Sequence, residues 1–282
     1  MNTPRGAAIH DLSGFGRCSL SIVVPTLSAM GVQCCPLPTA YLSTHTGGFS
    51  GNTFLDLTDQ MAPVTAHWNS EGVTFDAVYT GFMGSGKQMT LTADFIRTFK
   101  TERNTIIIDP VMGDHGKPYR TYTAEMCAGM VELSKLADVI TPNRTETAIL
   151  LDVPYDAVRL DTEADCRRWA RELSRGRTRS VVLTGVSLSP EMLGAVCYDH
   201  RTDAISFAQA KRVDEQFHGT GDLFASVLTG ALCRGKNLGD AAQMAADFVR
   251  RVAAHTAAQD YPRREGVDFE PLLWQLGQSV FA

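Results

Sequence analysis

Short apolar runs alternate with longer amphipathic stretches along this chain, and that alternation limits the fold more than any other feature of the sequence. A strand, a helix and a second strand in succession close into a parallel β-α-β unit. Ala7 to His10, Val32 to Ala40, Ala77 to Thr80, Thr105 to Asp109, Val139 to Thr141 and Ser180 to Thr184 read as strands, most of them followed by a helix. Gly194 to Tyr198 and Ala204 to Ala208 flank the polar run Asp199 to Asp203, which predicts an antiparallel hairpin on the sheet edge. Two apolar helices, Leu223 to Arg234 and Asp240 to Thr256, are expected after it. With 282 residues, 44% of them apolar and 20% charged, the chain can bury a substantial core. No repeat or composition break divides it, so one α/β domain over residues 1–282 is expected.

Charge and cysteine usage exclude several classes. The net charge of −5 has no compensating basic tail, and Arg167, Arg168, Arg171, Arg175, Arg177 and Arg179 gather around one predicted helix. That reads as a solvated face, not a nucleic-acid surface. Seven scattered cysteines, odd in number and without C-x-x-C spacing, fit a reduced cytoplasmic compartment. Cys34 and Cys35 adjoin in a strand, where neighbours point to opposite faces, so they read as small apolar residues and no zinc site is expected. No apolar stretch approaches transmembrane length and the start has no signal-like segment, so a soluble, unexported protein with no membrane partner is expected.

The chemistry concentrates in Gly219-Thr220-Gly221-Asp222, which opens an apolar helix. Backbone N–H groups and a helix N-terminus converge there beside a carboxylate able to take a proton from an alcohol. Asp is also a favoured N-cap and Gly-Thr-Gly is ordinary loop chemistry, so this stretch alone leaves capping and catalysis both open. Asp109 ends a buried-looking strand, at the edge where open α/β folds bind ligands. Thr141-Pro142-Asn143-Arg144-Thr145-Glu146 follows another strand and reads either as a capping box or as a polar site. If Asp109 and Glu146 converge, they suit Mg²⁺ with retained waters and phosphate oxygens.

Gly81-Phe82-Met83-Gly84-Ser85-Gly86-Lys87 matches the G-x-x-x-x-G-K spacing of a P-loop, but Gln88 stands where Mg²⁺ ligation needs Ser or Thr. Gly14-Phe15-Gly16 lacks the third glycine of a dinucleotide fingerprint; its neighbours Asp11 and Ser13 are the more telling residues. Ser43 to Gly48 supplies polar atoms after the second strand, with His45 read as a structural donor. Gly113 to Arg120 reads either as a surface loop or as a flap over a ligand.

Taken in order, Asp109-Pro110-Val111-Met112-Gly113-Asp114, then Thr141 to Glu146, then Gly219 to Asp222 resemble the ribokinase-like superfamily, and within it the pyridoxal kinase family. Ile9 to Gly16, Ser43 to Thr46 and Gly81 to Ser85 fall where that family has substrate-side motifs. The resemblance implies a three-layer α/β/α sandwich with a central, mostly parallel sheet, usually homodimeric. The implied reaction is ATP-dependent phosphorylation of the 5′-hydroxymethyl group of pyridoxal, pyridoxine or pyridoxamine. By matching position Asp222 would be the general base, with Gly219, Thr220 and Gly221 as anion hole. Asp109, Asn143 and Glu146 would hold ATP and Mg²⁺, with Thr184 and Lys211 bordering the nucleotide and K⁺ as a further candidate cofactor. Asp11, Thr46 and Phe82 would meet the vitamin ring. Asp11 stands where many members carry Ser, Phe82 where Tyr is common and Thr184 where some have Lys. Hydroxymethylpyrimidine kinases share the Asp-Pro-Val-Met and Thr-Pro-Asn segments, which keeps that substrate as the alternative.

Overall fold

The computed structural model describes residues 2–176 and 179–281. Its frame is a nine-stranded sheet in the order β11-β10-β9-β8-β5-β4-β1-β2-β3. The strands are β1 (Arg5–Ser13), β2 (Gln33–Leu42), β3 (Phe54–Asp56), β4 (Ala77–Thr80), β5 (Thr105–Ile108), β8 (Val139–Ile140), β9 (Ser180–Val186), β10 (Met192–Asp199) and β11 (Ala204–Lys211). Two further strands, β6 (Gly113–Asp114) and β7 (Lys117–Pro118), make a separate small hairpin. The pairings from β2 through β1, β4, β5 and β8 to β9 are parallel; β3, β10 and β11 add antiparallel edges. The hairpin expected from the sequence is β10 and β11. The short strand β3 has no apolar run long enough to announce it.

Strand residues alternate between two cores, as the two-residue period of a strand requires. Ala8, Tyr79, Ile107 and Val182 face one layer; Ile9, Val78, Ile106, Ile108, Val181 and Leu183 face the other. Each fully buried isoleucine of β5 contributes about 1.5–3 kcal/mol relative to exposure. The first layer holds α1 (Leu20–Ala29), α7 (Thr220–Cys233) and α8 (Leu238–Ala257). α7 is apolar on nearly all sides because α1 and α8 cover it, and a Cβ on Gly230 would lie 2.5 Å from Met30 Sδ. The second layer holds α2 (Thr58–Ser70), α3 (Gly86–Phe99), α4 (Ala124–Leu133), α5 (Arg144–Leu151) and α6 (Glu163–Ser174). Cys34 packs on the first layer and Cys35 on the second, as their adjacency in a strand predicts. All seven cysteines are free.

One sequence expectation fails on this side of the molecule. Arg167 pairs with Glu163, Arg175 with Glu172 and Arg171 with Asp203 on the surface, and Arg168 lies over the Trp169 ring. Arg179, however, is buried, not solvated: its guanidinium donates to Leu173 O at 2.9 and 2.8 Å and to Ser134 O at 2.7 Å. Arg177 lies outside the described residues.

The chain order runs outward from β1 to β2 on one side and from β4 through β5 and β8 to β9 on the other. The direction therefore reverses between β1 and β4, and the crevice outside their carboxyl ends is where an open sheet binds ligands. Among the described residues, no helix is long and apolar enough to cross a membrane.

Candidate active site

The candidate catalytic, substrate and nucleotide residues sit at this carboxyl edge or on α7 facing it. β1 delivers Asp11, the loop after β2 Thr46, the loop after β4 Phe82, and β5 Asp109. Asn143 and Glu146 open α5 after β8, while Thr184 and Lys211 lie near the ends of β9 and β11.

α7 begins at Gly219, whose φ of 84° is open to glycine alone at this spot: a Cβ would lie 2.4 Å from Arg17 O and 2.5 Å from Ile22 Cδ1. Gly221 has nothing within 4 Å of where its Cβ would be, so a ligand can approach the backbone closely there. The first-turn N–H groups have no intrahelical acceptors and carry the positive end of the helix dipole. Asp222 follows in that first turn and accepts from Ser19 N–H at 2.9 Å. Burial, reinforced by the charge of Asp11 and opposed by the Ser19 hydrogen bond, pushes its carboxyl up to about 6. A carboxylate so tuned is ionised at neutral pH and still basic enough to accept a proton.

At the start of α5, the capping-box expectation for Thr141 to Glu146 holds. Asn143 Oδ1 caps Glu146 N–H at 3.0 Å and Glu146 Oε2 accepts from Asn143 N–H at 2.8 Å, forming a capping box. Glu146 Oε1 also accepts from Met112 N–H at 3.2 Å, tying α5 to the flap's root. Asp109 is buried and accepts from Thr141 Oγ1 at 2.9 Å. Burial raises the carboxyls of both Asp109 and Glu146; the charge of Asp222 raises Asp109 further, and that of Asp109 raises Glu146 further. Two buried acids with no Lys or Arg paired to either among the described residues suit a hard divalent ion. Among the described residues no third acid, His or Cys joins them. A donor set of two carboxylates at most fits Mg²⁺, which keeps several waters and takes substrate phosphate oxygens.

The flap is the β6–β7 hairpin, turned at His115 and Gly116 with φ of 50° and 78°. Gly116 N–H donates to Thr145 Oγ1 at 2.8 Å, and Asn143 Nδ2 donates to Gly113 O at 2.9 Å. The helix start that carries Glu146 therefore also anchors the flap.

On the acceptor side, Phe82 is partly buried with its ring 5.7 Å from Tyr122, and Thr46 is exposed in the loop after β2. Asp11 is buried and accepts from Ser19 Oγ at 2.6 Å. His45 is structural, as read from the sequence: Gly47 N–H donates to its Nδ1 at 3.1 Å, so Nε2 carries the proton and donates to Arg264 O at 2.8 Å. Burial, aided by His218, lowers its pKa and keeps it neutral.

The P-loop reading is overturned. Lys87 points to solvent and pairs with Asp59 at 2.8 Å. Three of the loop's N–H groups are engaged within the protein: Gly81 by Ile9 O, Met83 by Tyr122 OH and Gly84 by Gln88 Oε1. Gln88 is buried, donating to Thr39 O and Thr58 Oγ1, so it braces the loop from within.

Sequence reasoning missed Ser19, which joins Asp11 to Asp222, and Arg17, which pairs with Asp268 at 3.1 Å and Glu270 at 2.8 Å. Their partners lie up to 253 residues away, beyond any local motif.

Residues 24–262 match the family model described as phosphomethylpyrimidine kinase. The chain belongs to the phosphomethylpyrimidine kinase family. A pyridoxine/pyridoxal/pyridoxamine kinase of Bordetella pertussis is 28% identical over 241 residues, 82% of each chain. Pyridoxal kinase from Lactobacillus plantarum superposes with a TM-score of 0.88 at 29% identity, covering 98% of this chain and 97% of that one. A crystal structure from Bacteroides thetaiotaomicron, provisionally named a phosphomethylpyrimidine kinase and crystallised with pyridoxal, is 40% identical with a TM-score of 0.91, covering 98% and 96%. The chain is a kinase of the ribokinase-like fold.

Proposed function

We propose that this kinase transfers the γ-phosphoryl group of ATP to the 5′-hydroxymethyl group of pyridoxal, pyridoxine or pyridoxamine. It would act in the cytoplasm as one domain over residues 1–282. The observation that carries the reading is Asp222 held by Ser19 within the first turn of α7, beside an unobstructed Gly221. The names of the relatives above supply the acceptor class.

In this reading Asp222 takes the alcohol proton as the oxygen attacks the γ-phosphorus, and the N–H groups of Gly219, Thr220 and Gly221 stabilise the equatorial oxygens. Asn143, Thr184 and Lys211 border the nucleotide, and Asp109 and Glu146 would hold Mg²⁺. When bound, Mg²⁺ supplies charge neutralisation of the phosphate oxygens. Thr46 and Phe82 line the acceptor pocket. The flap closes against α5 and excludes water, which limits ATP hydrolysis.

Hydroxymethylpyrimidine or its phosphate is the second reading, favoured by the description of the matching family model. The deciding experiment is ADP release with ATP and Mg²⁺ on pyridoxal, pyridoxine, pyridoxamine and hydroxymethylpyrimidine, in K⁺ and Na⁺ salts, with products identified by mass. Phosphate esters of a B6 vitamer are expected; esters of the pyrimidine alone would move the protein to thiamine synthesis. Lys87→Ala is expected to retain nucleotide binding and turnover.

A homodimer is part of the proposal. Phe54 and Leu55 on the edge strand β3 are 53% and 59% exposed, an apolar edge suited to a second copy. Leu55→Glu should halve the mass measured by light scattering if that edge is the interface; an unchanged mass removes it.

A further inference from the structure

Ser19 is shaped for more than opening α1. Its φ of 54° and ψ of −133° are unfavourable for a non-glycine residue, and its hydroxyl makes no capping bond to the helix. That backbone sends the two donors of one residue to two carboxylates. The N–H donates to Asp222 Oδ2 at 2.9 Å and the Oγ–H to Asp11 Oδ1 at 2.6 Å. Local structure holds this arrangement from both sides. The pairing register of β1 slips between His10 and Leu12, which re-aims Asp11, and an isolated bridge from Leu12 to Ser19 returns the loop to the strand. Ser13 Oγ lies 3.5 Å from the other Asp11 oxygen.

Asp11, Ser13 and Ser19 are all buried. A buried carboxylate supported by hydroxyls, with no ion-pair partner among the described residues, is costly unless it does a job. Resting on the reading of Asp222 as general base, we propose that Asp11 and Ser19 are a positioning pair. Asp11 anchors the Ser19 side chain, and the anchored N–H fixes Oδ2 of Asp222, leaving Oδ1 for the acceptor proton. This job differs from the ring contact that the resemblance implies for Asp11. A ring contact acts on acceptor binding, whereas a positioning pair acts on turnover and on the basicity of Asp222.

The groups facing Asp222 are Asp11 from β1, Cys18 from the following loop, Tyr79 from β4, Asp109 from β5 and Tyr119 from the flap. Removing the charge at Asp11 leaves Asp222 easier to ionise. Asp11→Asn in the full-length kinase should therefore move the acid limb of kcat/KM to lower pH, by on the order of one unit or less, with KM for pyridoxal unchanged. Ser19→Ala should lower kcat roughly ten- to a hundredfold with the same KM. The double variant should be no worse than the worse single one, since both act through one contact. Ser19→Gly relieves the backbone and keeps the N–H, so it guards against a folding defect; it should lower kcat as the alanine variant does. A rise in acceptor KM at Asp11→Asn with the acid limb in place overturns the pair. Asp222→Asn run alongside separates the two readings. Near-wild-type turnover there overturns the base and the pair together, while its loss combined with a pure KM effect at Asp11 overturns the pair alone.

Discussion

At the scale of single residues, Asp222 joins catalysis to a measurable stability cost. Burial, then the charge of Asp11, holds its carboxyl at about 6 against an ordinary 3.8. The folded state therefore keeps a proton between about pH 4 and pH 6 that the unfolded state has released, so this residue's contribution to stability falls as pH rises through that window. Activity runs the other way, because only the ionised form is a base: kcat/KM should fall below about pH 6. Asp222→Asn should melt no lower than wild type at neutral pH, since the amide oxygen still accepts from Ser19, while kcat drops on the order of 10²-fold or more. Calorimetry and a pH–rate series check both, and a variant that loses stability along with activity would contradict this account. Asp222 was legible in the sequence because its loop and its helix adjoin it. Ser19 was not, since what marks it is a backbone dihedral and two partners brought together only by the fold.

At the scale of elements, the segment opening α5 performs the capping task legible in the sequence and a second one that was not. Asn143 and Glu146 cap the helix, and the same side chains reach Gly113 and Met112 at the root of the flap. A capping box legible from four residues thus also fixes a hairpin some thirty positions earlier, which no local pattern encodes. Thr145 Oγ1 adds the bond to Gly116 N–H at the turn. Thr145→Val removes that acceptor at constant shape. Losing a hydrogen bond of about 1 kcal/mol should raise acceptor-independent ADP release about fivefold relative to vitamer phosphorylation, with the melting temperature little changed. Parallel assays with and without pyridoxal measure the ratio, and an unaltered ratio would mean that this contact does not govern the flap. The strands themselves were legible to within three residues at each end where they are buried on both faces. The edge strand β3 was not, because all three of its residues are exposed and it carries no buried pattern.

At the scale of the whole molecule, the two edges of the sheet are divided between function and folding. The carboxyl edge gathers the buried acids Asp11, Asp109 and Glu146, each with its carboxyl raised by burial, along the same edge as Asp222. The opposite edge carries Arg179, placed just before β9, where it joins the end of α6 to the 3₁₀ turn at Ser134–Leu136. In the sequence it looked like one more member of a solvated arginine cluster, because composition around a helix does not reveal which residue turns inward. Its hydrogen-bond geometry predicts a purely structural phenotype. Arg179→Met keeps the apolar stem and the volume but leaves the carbonyls of Leu173 and Ser134 without this donor, at a cost of roughly 2–4 kcal/mol. Since the site lies at the other end of the strands, KM for ATP and for pyridoxal should be unchanged below the lowered melting temperature. Urea unfolding measures the loss, and steady-state kinetics at low temperature measures the separation of the two edges. A variant that melts early with intact KM values supports that division, whereas a rise in either KM would show that the strands transmit a disturbance from the folding edge to the catalytic one.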